Sequence, residues 1–246
     1  MKINGTAVMI TGSAARLGMH MARHMAARGS STIIIHYNKS EIGAYRLKRD
    51  LENEGKRVKV LQGDLSTGEG IKSFLDLCKK ECSTIDILVN SASAFQAYPM
   101  MEHDISKLIP SIVVNGLAPH ALAVWSYRNA GLKKVINILD ASPQLYAGER
   151  YGYYLGKMVL KEVTERLAIE LAPRVCVNAI APGYLLPPEG TGKNSSMKIE
   201  SIPLKRRGRI SELNMALDFL IENDYVTGQI IYVDGGAHLM SDKIDR

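Results

Sequence analysis

The chain has 246 residues, 46% of them apolar, which is enough to fill one undivided α/β core. Its formal charge of +6 comes from 31 Lys and Arg against 25 Asp and Glu. The basic residues are scattered, with only brief clusters such as Lys205, Arg206 and Arg207, so they read as solvated surface rather than a nucleic-acid-binding face. An anionic cofactor can draw on the same positive balance. Three cysteines cannot make a paired disulfide framework, and Cys78 with Cys82 has no companion ligands for a metal. A reducing, cytoplasmic setting is therefore expected, with free thiols partly buried. The N-terminus enters an apolar strand pattern within a few residues. No run approaching the roughly 20 apolar residues needed to span a bilayer stands out, so no membrane role is expected.

In chain order, short apolar runs rich in β-branched residues fall at 7–10, 32–35, 58–61, 85–89, 135–139, 175–180 and 230–233. They lack alternation and read as strands buried on both faces. Longer stretches of helical periodicity lie between them, as at 17–28, 71–82 and 155–171. Alternating strand and helix implies right-handed crossovers, hence a single-domain, Rossmann-type α/β fold over residues 1–246. Its sheet is a doubly wound parallel one of about seven strands with helices on both faces. Ligands in such sheets collect at the carboxyl ends of the strands. Residues 183–202, with Pro187, Pro188, Gly190, Thr191 and Gly192, break the pattern and are expected to form a mobile flap beside the site.

The first strand runs into Thr11-Gly12-Ser13-Ala14-Ala15-Arg16-Leu17-Gly18 and then a helix, where a dinucleotide-binding turn belongs. Gly12 allows the tight turn, Gly18 lets helix and strand pack closely, and the helix N-terminus faces a pyrophosphate. Arg16 stands where another glycine is common; it either reaches a phosphate or substrate edge or is a surface arginine. At the end of the second strand an acid would bind a ribose 2′-hydroxyl and repel a 2′-phosphate. His36, Tyr37, Asn38, Lys39 and Ser40 include no acid, and Lys39, Asn38 and Ser40 suit a phosphate. NADP(H) is therefore the expected cofactor. Asp64, followed by Leu65, can accept from an adenine amino group or cap a helix. Asn90, Ser91, Ala92 and Ser93 supply small residues where the backbone passes close to the adenosine ribose.

Tyr153 and Lys157 are four apart at the start of the longest predicted helix and share one face. An adjacent ammonium favours the phenolate, so the tyrosine pKa is expected to fall toward the working pH. Asn115, in the preceding helical region, can open the backbone and hold a proton-relay water, or be an ordinary polar helix residue.

Taken in order, the glycine turn, Asn90-Ser91-Ala92, Asn115, Tyr153/Lys157, Pro182-Gly183 and Asp234-Gly235-Gly236 resemble the short-chain dehydrogenases/reductases over essentially the whole chain. The resemblance implies that Tyr153 donates a proton and that Lys157 binds the nicotinamide ribose. It also implies that Leu17, Leu65, Pro182 and Gly183 join the cofactor site, and that the chain is a homotetramer. The family also places a serine about thirteen residues before the tyrosine, to donate to a substrate carbonyl; here that residue is Asp140. A carboxylate opposes a developing alkoxide but suits a reacting nitrogen that gains a proton. Ser142 can take over the serine's role through a shifted loop, which keeps a carbonyl reductase such as a 3-oxoacyl reductase open.

Asp140, with Arg16 in the turn, the 36–40 segment and the run from Asn90 to Phe95, is similar to the pteridine reductases within that family. This implies reduction of a pterin C=N bond, with Phe95 stacked on the pterin and Asp140 and Tyr153 delivering the proton. Arg16 and Ser93 would lie near phosphates and pterin, and Tyr184 and Leu185 would line the pocket. Phe95 alternatively packs as a rim hydrophobe. A non-catalytic NADP(H)-sensing module is the rival of another class, and the intact Tyr153/Lys157 pair argues against it.

Overall fold

The computed structural model describes residues 1–187 and 199–243. Seven strands form one sheet: β1 (Ala7–Ile10), β2 (Thr32–Tyr37), β3 (Arg57–Gln62), β4 (Ile87–Asn90), β5 (Lys134–Ile138), β6 (Cys176–Pro182) and β7 (Ile230–Val233). Their order is β3-β2-β1-β4-β5-β6-β7, and every neighbouring pair is parallel. This is the Rossmann-type α/β fold expected from the alternating pattern. All predicted strands are present, with ends displaced by up to two residues. Most of the predicted flap, residues 188–198, lies outside the described residues.

The period of two in each strand divides its side chains between two cores. Val8 and Ile10 pack with Met21, Met25, Leu47 and Leu217, from α1 (Arg16–Ala27), α2 (Glu41–Asn53) and α7 (Ile210–Glu222). Met9 and Leu88 face the other way, against Phe74 of α3 (Gly68–Glu81), Leu122 of α5 (Ala118–Asn129) and Leu167 of α6 (Tyr151–Glu170). Cys78 and Cys82 are buried free thiols in this second core.

Between α4 (Ile105–Ile112) and α5 the helix passes through a π-helical turn, Val113–Leu117, in which the Ala118 N–H bonds the Val113 carbonyl five residues back. Pro119 has no N–H to give the Asn115 carbonyl, so the regular ladder cannot continue there and slips by one residue. The combined stretch Ile105–Asn129 is long and apolar enough, by length and composition, to cross a bilayer. This corrects the expectation that the sequence holds no such segment. In the fold it is a core helix, packed against α3 and α6.

Glycine sets how closely α6 approaches the π-turn. A Cβ on Gly156 would lie 2.6 Å from the Asn115 Cβ and 3.1 Å from the Ser111 carbonyl, and one on Gly116 would lie 2.8 Å from Val159. Gly156→Ala gains about 1 kcal/mol of helix propensity, but overpacking costs about 1–3 kcal/mol and the backbone-supported contact has little room to relax. A net loss of stability is expected, read as a lower Tm in thermal melts; an unchanged or raised Tm would show that the two helices part easily.

Candidate active site

The glycine turn is stitched to its neighbours by side chains that leave the strand ends. Thr11 Oγ1 accepts from the backbone N–H groups of Ser91 and Ala92, both at 2.9 Å, joining the turn after β1 to the loop after β4. Gly12 has φ +65°, and a Cβ there would meet the Ala92 Cα at 2.8 Å. Both demands select glycine. A Cβ on Gly18 would lie 2.4 Å from the Gly12 carbonyl, so the first turn of α1 rests directly on the strand-to-helix bend. Arg16 opens α1 with φ +51°, and its Nη2 donates to the Pro187 carbonyl at 3.1 Å. Leu17 packs partly buried against the first core.

His36 occupies a different place from the one its sequence position suggested. Its side chain turns inward: Nδ1 accepts from the Gly12 N–H at 3.0 Å and Nε2 bonds the Gly63 carbonyl at 3.1 Å. That arrangement needs the neutral tautomer with its proton on Nε2, and burial pushes the pKa down to about 4. The imidazole thus ties the turn after β1 to the end of β3 rather than facing outward. Tyr37 is buried too, edge-on to Tyr45. Asn38, Lys39 and Ser40 are exposed beyond it. Asn38 Nδ2 donates to Asp64 Oδ1 at 3.2 Å. Hydrogen bonds from Ser66, then the charge of Lys39, hold the Asp64 carboxyl below its ordinary range. Asp64 does not cap α3; Thr67 does, accepting from the Gly70 N–H. The Leu65 side chain lies in the second core, so that residue can offer a ligand only its backbone.

Around the predicted catalytic residues, the Tyr153 hydroxyl donates to Asp140 Oδ2 at 2.6 Å. The Ser142 N–H donates to Asp140 Oδ1 at 2.8 Å, so the loop after β5 holds the carboxylate from behind. Lys157 is buried, its Nζ donating to the Ile138 carbonyl at 2.7 Å and lying 5.5 Å from the centre of the Tyr153 ring. Burial lowers its pKa to about 8. Tyr153 itself is shifted in the direction opposite to expectation. Burial and the Asp140 carboxylate push its pKa well above the ordinary phenol value, so the hydroxyl keeps its proton.

Asn115 sits in the π-turn. Its Nδ2 donates to the carbonyls of Ala94 (2.8 Å) and Ser111 (2.9 Å), while its Oδ1 accepts from Ser93 Oγ at 2.7 Å. The loop after β4 is thereby fastened to the helix in front of α6. Asn90 is buried and donates to Asn137, which donates to Thr164 on α6.

Phe95 is 45% exposed, with its ring centre 4.8 Å from that of Tyr153 and 4.9 Å from that of Tyr146, both nearly perpendicular. The Arg150 guanidinium lies over the ring, 4.2 Å from its centre. Tyr184 is half-buried, with Arg207 over its ring, whereas Leu185 turns into the first core. Pro182 ends β6, and Gly183 passes so close to Asp234 that a Cβ would lie 2.6 Å from the aspartate Cβ. Asn137, Tyr146 and Arg150 escaped the sequence reading, as did the bridging role of Thr11 within the turn. Tyr146, Arg150 and Tyr153 were spaced as one helical face, a signal hidden because residues 143–150 are not regular α-helix.

Residues 12–238 match the family model described as enoyl-(acyl carrier protein) reductase, a branch of the short-chain enzymes. The chain belongs to the short-chain dehydrogenase/reductase family. It is an NAD(P)-dependent oxidoreductase. It is similar to FolM alternative dihydrofolate reductase 1 from Brucella canis complexed with NADP, at 29% identity and a TM-score of 0.88, covering 97% of this chain and 96% of that one. The Brucella suis protein of the same name, also with NADP, gives 29% and 0.86, covering 97% of each chain. Curated relatives are varied. Glucose 1-dehydrogenase 2 of Bacillus subtilis (strain 168) is 27% identical over 99% of this chain and 98% of its own. The 3-oxoacyl-(acyl-carrier-protein) reductase FabG of Buchnera aphidicola subsp. Baizongia pistaciae is 28% identical over 97% and 100%.

The buried imidazole makes a pH prediction. Between pH 6.5 and about 4 the unfolded chain protonates His36 while the folded chain does not, so stability falls as pH falls through that window. This residue alone is expected to cost about 3 kcal/mol between pH 7 and pH 4. His36→Asn, whose amide oxygen can still accept from Gly12, should flatten that part of the profile in urea melts. Parallel profiles for the two proteins would refute it.

Proposed function

We propose that this enzyme is an NADPH-dependent reductase of a C=N bond in a dihydropterin- or dihydrofolate-type substrate. The observation that carries the reading is the hydrogen bond from Tyr153 to Asp140, with Ser142 engaged behind the carboxylate through its N–H. A serine in place of Asp140 would donate to a carbonyl; a carboxylate repels the alkoxide formed from one and stabilises a nitrogen that takes up a proton. The similarity to two FolM alternative dihydrofolate reductases supports the same choice.

The residues suit the cofactor. The close pass of Gly12 over Ala92 leaves no room for a Cβ and brings bare backbone to the helix N-terminus, as a pyrophosphate requires. The exposed end of β2 carries Asn38, Lys39 and Ser40 and no acid, which favours a 2′-phosphate. When bound, NADPH supplies the hydride. Tyr153 holds the proton to be delivered, kept on its oxygen by burial and by Asp140. Asp140 orients that hydroxyl and is placed to receive an N–H of the substrate or to pass on the proton. Lys157 would hold the ribose with the donors left beyond its bond to Ile138. Asn115 fixes Ser93 and Ala94, and Phe95 supplies a flat surface for a heteroaromatic ring.

A homotetramer is part of the same reading, supported by Ile105, Ile109 and Leu117 standing exposed along the helix that precedes α6 and by the place of β7 as the last strand of the sheet among the described residues. Light scattering that returns a monomer mass would reject it.

Purified protein is expected to oxidise NADPH with 7,8-dihydrobiopterin or dihydrofolate and to leave acetoacetyl thioesters unreduced; the reverse pattern would establish a carbonyl reductase. Tyr153→Phe and Asp140→Asn should each lower kcat by about 100-fold or more, the scale of a lost general acid. Lys39→Glu is expected to lower kcat/KM for NADPH by about tenfold while sparing NADH, since one charge-assisted phosphate contact is worth roughly 1.5–3 kcal/mol. Equal effects on the two cofactors would place the 2′-phosphate elsewhere. On the alkaline side, activity should decline as pH passes about 8, where Lys157 loses its charge. Lys157→Arg, which stays charged, should lack that limb in a pH profile.

A further inference from the structure

Phe95 projects from the loop after β4, a segment with no regular secondary structure, and is nearly half exposed. A free ring there would sample several rotamers, and stacking on a substrate would have to order it. The structure supplies a restraint from the other side of the site. Residues 98–100 run beside residues 148–151: Tyr98 N–H donates to the Glu149 carbonyl (2.8 Å), Tyr151 N–H to the Tyr98 carbonyl (3.0 Å) and Met100 N–H to the Gly148 carbonyl (3.0 Å). Within this short ladder, opposite Tyr98, stands Arg150, the residue before α6, which carries Tyr153. Its Nη1 donates to the Phe95 carbonyl at 2.6 Å, and its guanidinium lies 4.2 Å from the ring centre. One side chain thus grips both the backbone and the ring of the same residue. The ring also meets Tyr153 and Tyr146 at close to right angles.

We propose that Arg150 is a positioning residue that sets substrate specificity through Phe95: by covering one ring face it fixes the plane against which a flat substrate is held beside Tyr153 and Asp140. This rests on the pterin-reductase reading, because only a planar heterocycle profits from an oriented ring face. Arg150 acts on binding, and the proton-delivering pair is untouched by its removal.

The test is a double-mutant cycle. Arg150→Gln in the wild-type background should raise KM for 7,8-dihydrobiopterin by about three- to tenfold, the scale of a partly exposed cation–π and charged hydrogen-bond contact, with kcat changed by less than about twofold. The Kd for NADPH should not move. Arg150→Lys, which keeps the charge without the planar stack, should fall between the two; it also serves if the glutamine variant melts early. In a Phe95→Leu background, Arg150→Gln should raise KM distinctly less than in the wild type, because the ring is gone and only the hydrogen bond to the backbone carbonyl remains. An equal loss in both backgrounds would mean that Arg150 touches the substrate directly, and an unchanged KM in the wild-type background would mean that it does neither; each overturns the proposal. Wild-type protein that turns over no dihydropterin removes the functional reading and this inference together, an outcome distinct from an active wild type indifferent to Arg150.

Discussion

Between β1 and β4 the winding of the sheet reverses, and the two strand ends must part there. That separation is the constraint from which the site is built, because it leaves a crevice at the carboxyl edge lined by the loops that follow the two strands. Thr11 bridges the crevice floor by accepting two N–H groups from the β4 side, and Gly12 passes over Ala92 at a distance no side chain tolerates. His36, buried and neutral, holds the other flank to the end of β3. These polar contacts satisfy backbone groups that a reversal of winding would otherwise leave unpaired in the interior.

The catalytic edge depends on a second constraint, the packing of α6 against the π-turn. Pro119 removes the N–H that Asn115 would need, the ladder slips, and the wider turn places the Asn115 amide against the loop after β4. Gly156 and Gly116 permit the approach. Tyr153 and Lys157 then reach the end of β5, where Asp140 and the Ile138 carbonyl meet them. The Coulombic balance at this edge is not the one a Tyr/Lys pair alone predicts. Asp140 is the charge bonded to the phenol and Lys157 is turned to a carbonyl, so the tyrosine is held as an acid rather than eased toward phenolate.

The fold was legible in the sequence because its signals are local. Short runs of β-branched residues without alternation read as strands covered on both sides, and helical stretches between them imply parallel crossovers. The glycine turn, the absence of an acid after β2, and Asp140 thirteen residues before Tyr153 were equally open to reading. The apolar content of residues 105–129 is masked in the sequence because Pro110, Pro119 and scattered polar residues interrupt the run, although the helical stretch continues through them.

Side-chain direction was decided only by the tertiary structure. Nothing local distinguishes His36, which faces the core, from Lys39, which faces out, since the strand end and the neighbouring bend settle it. Leu65 and Leu185 likewise turn into cores that neighbours far away in sequence provide. The pairing of Arg150 with Phe95 joins residues 55 apart through a ladder of backbone bonds that no motif encodes. Sequence by itself determined which chemical groups are present and on which element each is carried, because those follow from periodicity and turn chemistry. Which of them meet, and with what charge, required the fold, because burial and contact are set by chain segments that only packing brings together.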